Sequence, residues 1–196
     1  MDVGVLFSAG KDSALAALLL DPFADVTLVT ATFGRTDDWS HARETATRLS
    51  FRFERLELDH AVAEAAVDRM CADGYPRNGI QAVHEAALEA LAGQEFDAVA
   101  DGTRRDDRVP SVSRAQAQSL EDRHGVDYLA PLAGFGRGAI DRLVAERLTV
   151  TTGPSETIPR ADYEAELRDL LAEKEGAHAV SETFPAHEQS YVTGYR

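Results

Sequence analysis

The chain has 196 residues, of which 44% are hydrophobic and 28% charged, a composition typical of one soluble globular domain. Its formal net charge is −14, and a surface this acidic repels nucleic acid unless arginines cluster locally or salt screens the charge. No stretch approaches ~18 consecutive apolar residues and no basic signal segment opens the chain, so we expect a cytoplasmic protein without a membrane partner.

The chain alternates between apolar runs and helical stretches. Short apolar or alternating runs predict strands at 3–7, 26–33, 53–58, 96–100, 126–129 and 149–152. Helical patterns with caps or breakers predict helices at 12–20, 38–50, 61–72, 80–91, 114–124, 139–148 and 161–175. Strands that alternate with helices in this way indicate βαβ units, so we predict one α/β domain with a parallel sheet. The tail, 181–196, has no clear periodicity.

Two residue types are scarce. Lys11 and Lys174 are the only lysines, and acidic charge spread over a chain with so little lysine is typical of a halophilic, high-salt cytoplasm. Cys71 is the only cysteine, which excludes an intrachain disulfide and a cysteine-pair metal site. Because it lies on an apolar stretch with Val67 and Met70, we interpret it as a buried structural thiol.

The loop before the first predicted helix, Ser8-Ala9-Gly10-Lys11-Asp12-Ser13, has the composition of a phosphate-binding turn. A Walker A motif does not fit, because Gly4 and Gly10 enclose five residues rather than four and Asp12 stands where Ser or Thr is needed. A dinucleotide fingerprint does not fit either, since Gly10 is the only glycine at the turn. A simple helix N-cap at Asp12 is the alternative to a ligand site.

This loop resembles the Ser-Gly-Gly-x-Asp-Ser signature of the PP-loop ATP pyrophosphatases, the adenine nucleotide α-hydrolase superfamily, with Ala9 replacing the first glycine. The resemblance covers roughly residues 1–135. It implies a doubly wound, Rossmann-like, HUP-type fold with a five-stranded parallel sheet of order 3-2-1-4-5 and helices on both faces. It also implies a single PP-loop ATP-binding domain over 1–196, with a C-terminal helical extension at about 159–196.

By the same resemblance the loop would hold the pyrophosphate part of ATP. Its expected ATP contacts are Ser8, Ala9, Gly10, Lys11, Asp12 and Ser13. Small residues let the main chain approach phosphate, and a lysine offsets phosphate charge. Asp12 beside a phosphate is best explained if it binds Mg²⁺ or orients the loop. The end of the second strand receives adenine in the superfamily, which would place Thr32 and Phe33 beside the base; the alternative is that these residues belong to the core.

A second polar loop, 101–111, follows the fourth predicted strand. Asp101, Gly102, Thr103 and Arg104 resemble the superfamily's second ATP-binding loop, and neighbouring strands would bring this loop opposite the first. Asp106 and Asp107 are candidate Mg²⁺ ligands together with Asp12, because Mg²⁺ takes one or two carboxylates plus substrate phosphates. Arg104, Arg105 and Arg108 could clamp phosphate. The alternative is a solvated loop that balances its own charge.

The candidate catalytic residues are Lys11, Asp12 and Arg105. The resemblance implies cleavage of ATP between the α and β phosphates, adenylation of a substrate and release of pyrophosphate. A single cysteine disfavours sulfur transfer through cysteine pairs, so amide or nitrogen ligation by an adenylating ligase is favoured, with an unknown acceptor. The segment 131–143 resembles a Pro-Leu segment of diphthine–ammonia ligases.

Two other functions remain open. One is a tRNA-modifying enzyme of the PP-loop type, with a basic patch formed by Arg104, Arg105, Arg108 and Arg137. The other is a non-catalytic nucleotide-binding module of the universal-stress type, although such modules use a later glycine-rich phosphate loop. A homodimer is also left open. For His84, contact with substrate is one interpretation, and a surface or capping role is favoured over it. The roles of His187, Gln189 and Ser190 are undecided.

Overall fold

A computed structural model describes residues 1–159 and 161–196. Five parallel strands form the central sheet in the order β3-β2-β1-β4-β5, which confirms the predicted architecture. The strands are β1 (Asp2–Leu6), β2 (Asp25–Thr32), β3 (Arg52–Glu57), β4 (Ala98–Ala100) and β5 (Asp127–Leu129). Because β1 lies between β2 and β4, the strand order reverses at β1. The loops that follow β1 and β4 therefore lie side by side at the carboxyl edge of the sheet.

Seven helices cover the two faces of the sheet, and an eighth follows near the C-terminus. They are α1 (Lys11–Leu20), α2 (Trp39–Arg48), α3 (His60–Asp73), α4 (Arg77–Ala92), α5 (Arg114–His124), α6 (Arg137–Arg147), α7 (Tyr163–Glu175) and α8 (Ala177–Thr183), counted over the residues that the structure describes. One buried cluster joins the sheet to α1, α2 and α6, and a second joins it to α3, α4, α5 and α7. Helices therefore pack on both faces, as expected for strands that are apolar on both sides.

The tail is folded, which the sequence did not predict. Residues of β6 (Leu148–Pro154) pair antiparallel with β7 (Glu188–Tyr195) in a separate two-stranded sheet. This hairpin docks on the body, because the main-chain N–H of Val192 donates to the carbonyl of Ala9 at 2.9 Å and the hydroxyl of Thr45 donates to the carbonyl of Val192 at 3.0 Å. In its described residues, the predicted helical extension at about 159–196 thus contains α7 and α8 and ends in the strand β7.

The expectation of a buried Cys71 is wrong, because its side chain is exposed. The buried face of α3 consists of Ala63, Ala66, Val67 and Met70, and Cys71 lies beside this face in the last turn of the helix. In the described part of the chain, no helix is both long enough and apolar enough to cross a membrane.

Candidate functional site

A cleft of about 640 Å³ opens at the carboxyl edge of the central sheet. Its walls come from the loops after β1 and β4, the start of α6, the segment before α7 and the β6–β7 hairpin. Parallel α/β sheets bind ligands at this edge, at the point where the strand order reverses. The cleft therefore lies where the sequence places an ATP site.

The loop after β1 forms the floor of the cleft at the start of α1. Gly10 is the N-cap residue in an extended conformation, with no side-chain cap, so α1 begins at Lys11 with its positive end facing the cleft. The hydroxyl of Ser13 donates to the carbonyl of Gly10 at 3.2 Å and lies 3.4 Å from the hydroxyl of Ser8. The N–H of Lys11 donates to the hydroxyl of Ser190 at 3.1 Å, so β7 contributes a polar group to the loop.

Ala9 gives this loop its shape. Its φ is +60°, in the left-handed region where an alanine costs roughly 1–2 kcal/mol relative to ordinary backbone. The side chain of Ala9 is fully buried in the cluster that joins the sheet to α1, α2 and α6. Its carbonyl accepts a hydrogen bond from the main-chain N–H of Val192. The residue at the position of the signature's first glycine thus adopts a glycine-like conformation, which the surrounding contacts hold in place.

Charged side chains alternate across the mouth of the loop. The ammonium of Lys11 lies 2.9 Å from a carboxylate oxygen of Asp12 and 3.8 Å from Asp141 at α6. A guanidinium nitrogen of Arg104 lies 3.8 Å from the other oxygen of Asp12. Lys11, Asp12, Arg104, Arg137 and Asp141 all line the cleft, so both cations and carboxylates are available to a charged ligand. Asp141 was not singled out in the sequence.

The loop after β4 brings only part of the predicted set to the cleft. Asp107 accepts from the main-chain N–H and the guanidinium of Arg104, with a shortest distance of 2.6 Å, and this bond is the main reason why the pKa of Arg104 is raised. Arg105, Asp106 and Arg108 are exposed, and Arg105 and Asp106 do not line the cleft. Of the three predicted metal ligands, Asp12 and Asp107 face the cleft and Asp106 does not.

No cluster of three or more His, Cys, Asp or Glu side chains suited to a metal ion exists among residues 1–159 and 161–196. A magnesium ion at this site would therefore need ligand phosphates in addition to protein carboxylates, as Mg²⁺ commonly does.

Gly102 fixes the distance between the two loops. A β-carbon at this position would lie 2.6 Å from the main-chain nitrogen of Ser13 and 2.9 Å from the carbonyl carbon of Asp12. Main-chain atoms cannot move aside as a flexible side chain can, so only glycine permits this approach. The Asp101-Gly102-Thr103 segment is thus packed directly against the start of α1.

A trio of hydrogen-bonded side chains lies beside this contact, with His84 and Asp101 buried and Tyr163 half-buried. His84 on α4 is 4% exposed, and its Nε2 lies 2.8 Å from Asp101 Oδ2 while its Nδ1 lies 2.9 Å from the hydroxyl of Tyr163. The other oxygen of Asp101 accepts from the N–H and hydroxyl of Thr103, at 2.9 and 2.6 Å. His84, Asp101, Thr103 and Tyr163 all line the cleft. The interpretation of His84 as a surface or capping residue is therefore wrong.

The surroundings of the trio act on its ionisation. Burial by itself raises the pKa of Asp101, but the hydrogen bonds from His84 and Thr103 outweigh it and lower that pKa. Burial, followed by the nearby charges of Asp162 and Asp101, raises the pKa of Tyr163 well above its ordinary value. At neutral pH the trio therefore contains an ionised carboxylate at one end and a protonated phenol at the other.

Thr32 and Phe33 are buried rather than open to the cleft. The carboxylate of Glu166 on α7 accepts the hydroxyl of Thr32 at 3.0 Å and the main-chain N–H of Phe33 at 2.8 Å. Ala31, one residue earlier on β2, does line the cleft, together with Leu6 and Ile80. Adenine contact at Thr32 and Phe33 stays a prediction, and it would require α7 to move away from the end of β2.

Comparisons with known proteins agree with this architecture. The chain matches, over residues 1–194, the family of unknown function DUF7411. It is 42% identical to the uncharacterized protein MJ0690 of Methanocaldococcus jannaschii over 100% of this chain and 97% of that protein. It also superposes, with a TM-score of 0.90 and 40% identity, on a crystal structure of a predicted subunit of tRNA methyltransferase from the same organism, over 100% of this chain and 98% of the other.

A more remote similarity is to the U34-tRNA thiolase NcsA from Methanococcus maripaludis, with a TM-score of 0.43 and 16% identity over 92% of this chain and 69% of that one. The family match spans almost the whole sequence, and the relative at 42% identity covers all of it. The chain therefore belongs to the DUF7411 family.

Proposed function

We propose that the protein is a PP-loop ATP pyrophosphatase that modifies tRNA: it would cleave ATP between the α and β phosphates and transfer AMP to an oxygen of a tRNA nucleotide. The observation that carries this proposal is the loop from Ser8 to Ser13, whose hydroxyls, Lys11 and helix start all face one cleft beside Gly102. Pyrophosphate would be the leaving group, stabilised by positioned donors and cations.

The donor set suits a polyphosphate. The start of α1, the hydroxyls of Ser8 and Ser13, and the side chains of Lys11 and Arg104 supply hydrogen bonds and positive charge within one cleft. The carboxylate of Asp12, which is paired with Lys11, suits a site that also takes Mg²⁺. Asp12 would be the protein ligand, and phosphate oxygens would complete the coordination of the ion. Mg²⁺ would neutralise charge on the phosphates as the bond to the leaving group breaks.

Two observations support tRNA rather than a small acceptor. The relative with 98% of its chain matched is a predicted subunit of tRNA methyltransferase, and the present chain shares 40% of its residues. In addition, one exposed arginine lines the cleft and two more lie on an adjoining loop, in a protein with a net charge of −14. Arg137 lies at the cleft itself, and Arg105 and Arg108 are exposed on the adjoining loop. Local arginines are what an acidic protein needs to hold an RNA backbone.

The test is product analysis with ATP labelled in the α phosphate, Mg²⁺ and bulk tRNA. We expect the label to move to tRNA as bound AMP, or to free AMP once water hydrolyses that adenylate, and pyrophosphate to be released, only when tRNA is present. Lys11→Ala and Asp12→Asn are expected to abolish both. Lys174→Ala is the matched control, since Lys174 is the other lysine and lies on α7, outside the cleft.

The alternatives predict different products. Formation of ADP would overturn α–β cleavage. If ammonia and a small carboxylate are added in place of tRNA and AMP then forms, the reaction is nitrogen ligation instead. Binding of ATP without any turnover would identify a non-catalytic nucleotide-binding module.

A further inference from the structure

The trio of Asp101, His84 and Tyr163 lies outside the loop from Ser8 to Ser13, yet it borders the same cleft. Asp101 directly precedes Gly102, whose close approach to Ser13 links the trio to the start of α1. Each member comes from a different element: β4 leads into Asp101, α4 carries His84 and α7 begins at Tyr163. Three elements therefore bring together three polar side chains. Burial of polar groups costs free energy, and apolar side chains could fill the same place without that cost.

The hydrogen bonds fix the direction of the proton in each link. Thr103 already donates twice to one oxygen of Asp101, and the other oxygen lies 2.8 Å from His84 Nε2, so Nε2 carries a proton and donates it. A neutral imidazole then has an unprotonated Nδ1, which accepts the hydroxyl proton of Tyr163 at 2.9 Å. The arrangement is an imidazole held in one tautomer by a carboxylate and bonded to a phenol that lines the cleft.

We propose that this trio is a proton relay for the reaction in the cleft, in which Tyr163 meets the acceptor and His84, oriented by Asp101, stores the proton. The proposal rests on the proposed function for the identity of the acceptor. Tyr163 would be the catalytic residue of the three, while His84 and Asp101 act through it as positioning residues.

The relay conserves protons and charge. As the acceptor oxygen forms its bond to the α phosphorus, the acceptor loses a proton from its O–H or N–H to the oxygen of Tyr163. Tyr163 passes its own hydroxyl proton to Nδ1 of His84, so the phenol is neutral before and after. His84 becomes an imidazolium beside the carboxylate of Asp101, which stabilises the positive charge. The relay therefore suits an acceptor that carries a removable proton.

Other charged groups near the trio act on its phenol. Asp162 and Glu164 flank Tyr163 at the start of α7, and burial, followed by the charges of Asp162, Asp101 and Glu164, raises its pKa. The hydroxyl of Tyr128 on β5 lies 3.5 Å from the hydroxyl of Thr103. Burial, followed by the charge of Asp101, raises the pKa of Tyr128 well above its ordinary value. Both phenols therefore stay protonated at neutral pH.

The first test does not depend on turnover. In the full-length protein labelled with ¹⁵N in its imidazoles, the signals of His84 are identified by their loss in His84→Gln. We expect His84 to carry its proton on Nε2, where it faces Asp101. A His84 that carries its proton on Nδ1 overturns the relay.

The second test measures the release of pyrophosphate from ATP in the presence of bulk tRNA. We expect Tyr163→Phe and His84→Gln to lower the rate about 100-fold. Affinity for ATP is expected to stay within about twofold of wild type, because neither side chain belongs to the phosphate loop. Tyr75→Phe and His60→Gln are the matched controls, since both residues are exposed.

Tyr163→Phe removes one hydroxyl and keeps the ring, so it remains informative even if His84→Gln fails to fold. A Tyr163→Phe protein that releases pyrophosphate at the wild-type rate overturns the relay. A wild-type protein that releases no pyrophosphate overturns the proposed function and the use of the relay in that reaction, while the ¹⁵N spectrum still reports separately which nitrogen of His84 carries the proton.

Discussion

The carboxylate of Glu166 accepts the main-chain N–H of Phe33 at 2.8 Å, so α7 closes the carboxyl end of β2. The same carboxylate accepts the hydroxyl of Thr32 at 3.0 Å and the N–H of Arg35 at 2.8 Å, and Glu166 is only 3% exposed. One acidic side chain thereby satisfies polar groups of the turn after β2 that would otherwise be buried without partners. The position of α7 depends on this contact.

Replacement of Glu166 by glutamine tests this role. The amide keeps one acceptor oxygen, but its NH₂ group then faces a main-chain N–H, so two donors oppose each other. We expect Glu166→Gln to lower the free energy of unfolding by about 2 kcal/mol, measured by urea denaturation. Glu175→Gln on the same helix is the control, because its side chain is exposed and we expect a change within about 0.5 kcal/mol. Equal stabilities of the two variants would contradict the role.

Gly102→Ala tests the contact between the two loops. The added methyl group would lie 2.6 Å from the nitrogen of Ser13, so the start of α1 or the loop after β4 has to shift. We expect a loss of about 2 kcal/mol in stability and at least a tenfold loss in ATP affinity by calorimetry. Gly134→Ala is the matched control, since its β-carbon would meet nothing within 4 Å. Normal ATP binding by Gly102→Ala would show that the loop spacing is not critical.

Much of the fold follows from the sequence because its local patterns agree with the final packing. Buried strands such as β1 and β2 are apolar runs, and the helices between them have apolar faces, so the alternation of elements was predictable. The loop after β1 was predictable as well, since its small residues, hydroxyls and lysine are adjacent in the chain. The sheet order came from the resemblance that this loop carries.

The trio and the hairpin were missed for a different reason, because both depend on contacts far apart in the chain. His84 in fact falls in the helical series of buried positions Ile80, Val83, Ala87 and Leu88, which was the signal for burial. Its partners lie 17 and 79 residues away and leave no local pattern. In β7, only Tyr191 and Val192 are buried, so the strand lacks the regular alternation that would have identified it.

Tyr191→Ala tests whether the C-terminal hairpin stabilises the body. The ring is 6% exposed, belongs to the cluster beneath α1 and α2, and its hydroxyl donates to the carbonyl of His41 at 3.4 Å. Truncation of a buried aromatic side chain costs about 3 kcal/mol or more, which we expect to see in urea denaturation. Tyr75→Ala is the control, because Tyr75 is 52% exposed. A cost for Tyr191→Ala as small as that of the control would mean that β7 contributes no stability.

The exposed thiol of Cys71 gives a prediction opposite to that of a buried one. A maleimide or iodoacetamide reagent is expected to modify one thiol per native chain without denaturant, and Cys71→Ser to remove the reaction. Desolvation, followed by the charges of Glu175 and Asp68, raises the pKa of Cys71. Since the thiolate is the reactive form, the rate at neutral pH is expected to fall below that of a free cysteine and to increase as pH rises toward the elevated pKa.

Glu175→Gln tests the effect of charge on this thiol. It removes one of the negative charges, so it lowers the pKa of Cys71 and is expected to speed the reaction at neutral pH. A thiol that reacts only after unfolding would instead place Cys71 in the interior, and an unchanged rate in Glu175→Gln would show that its charge does not reach the sulfur.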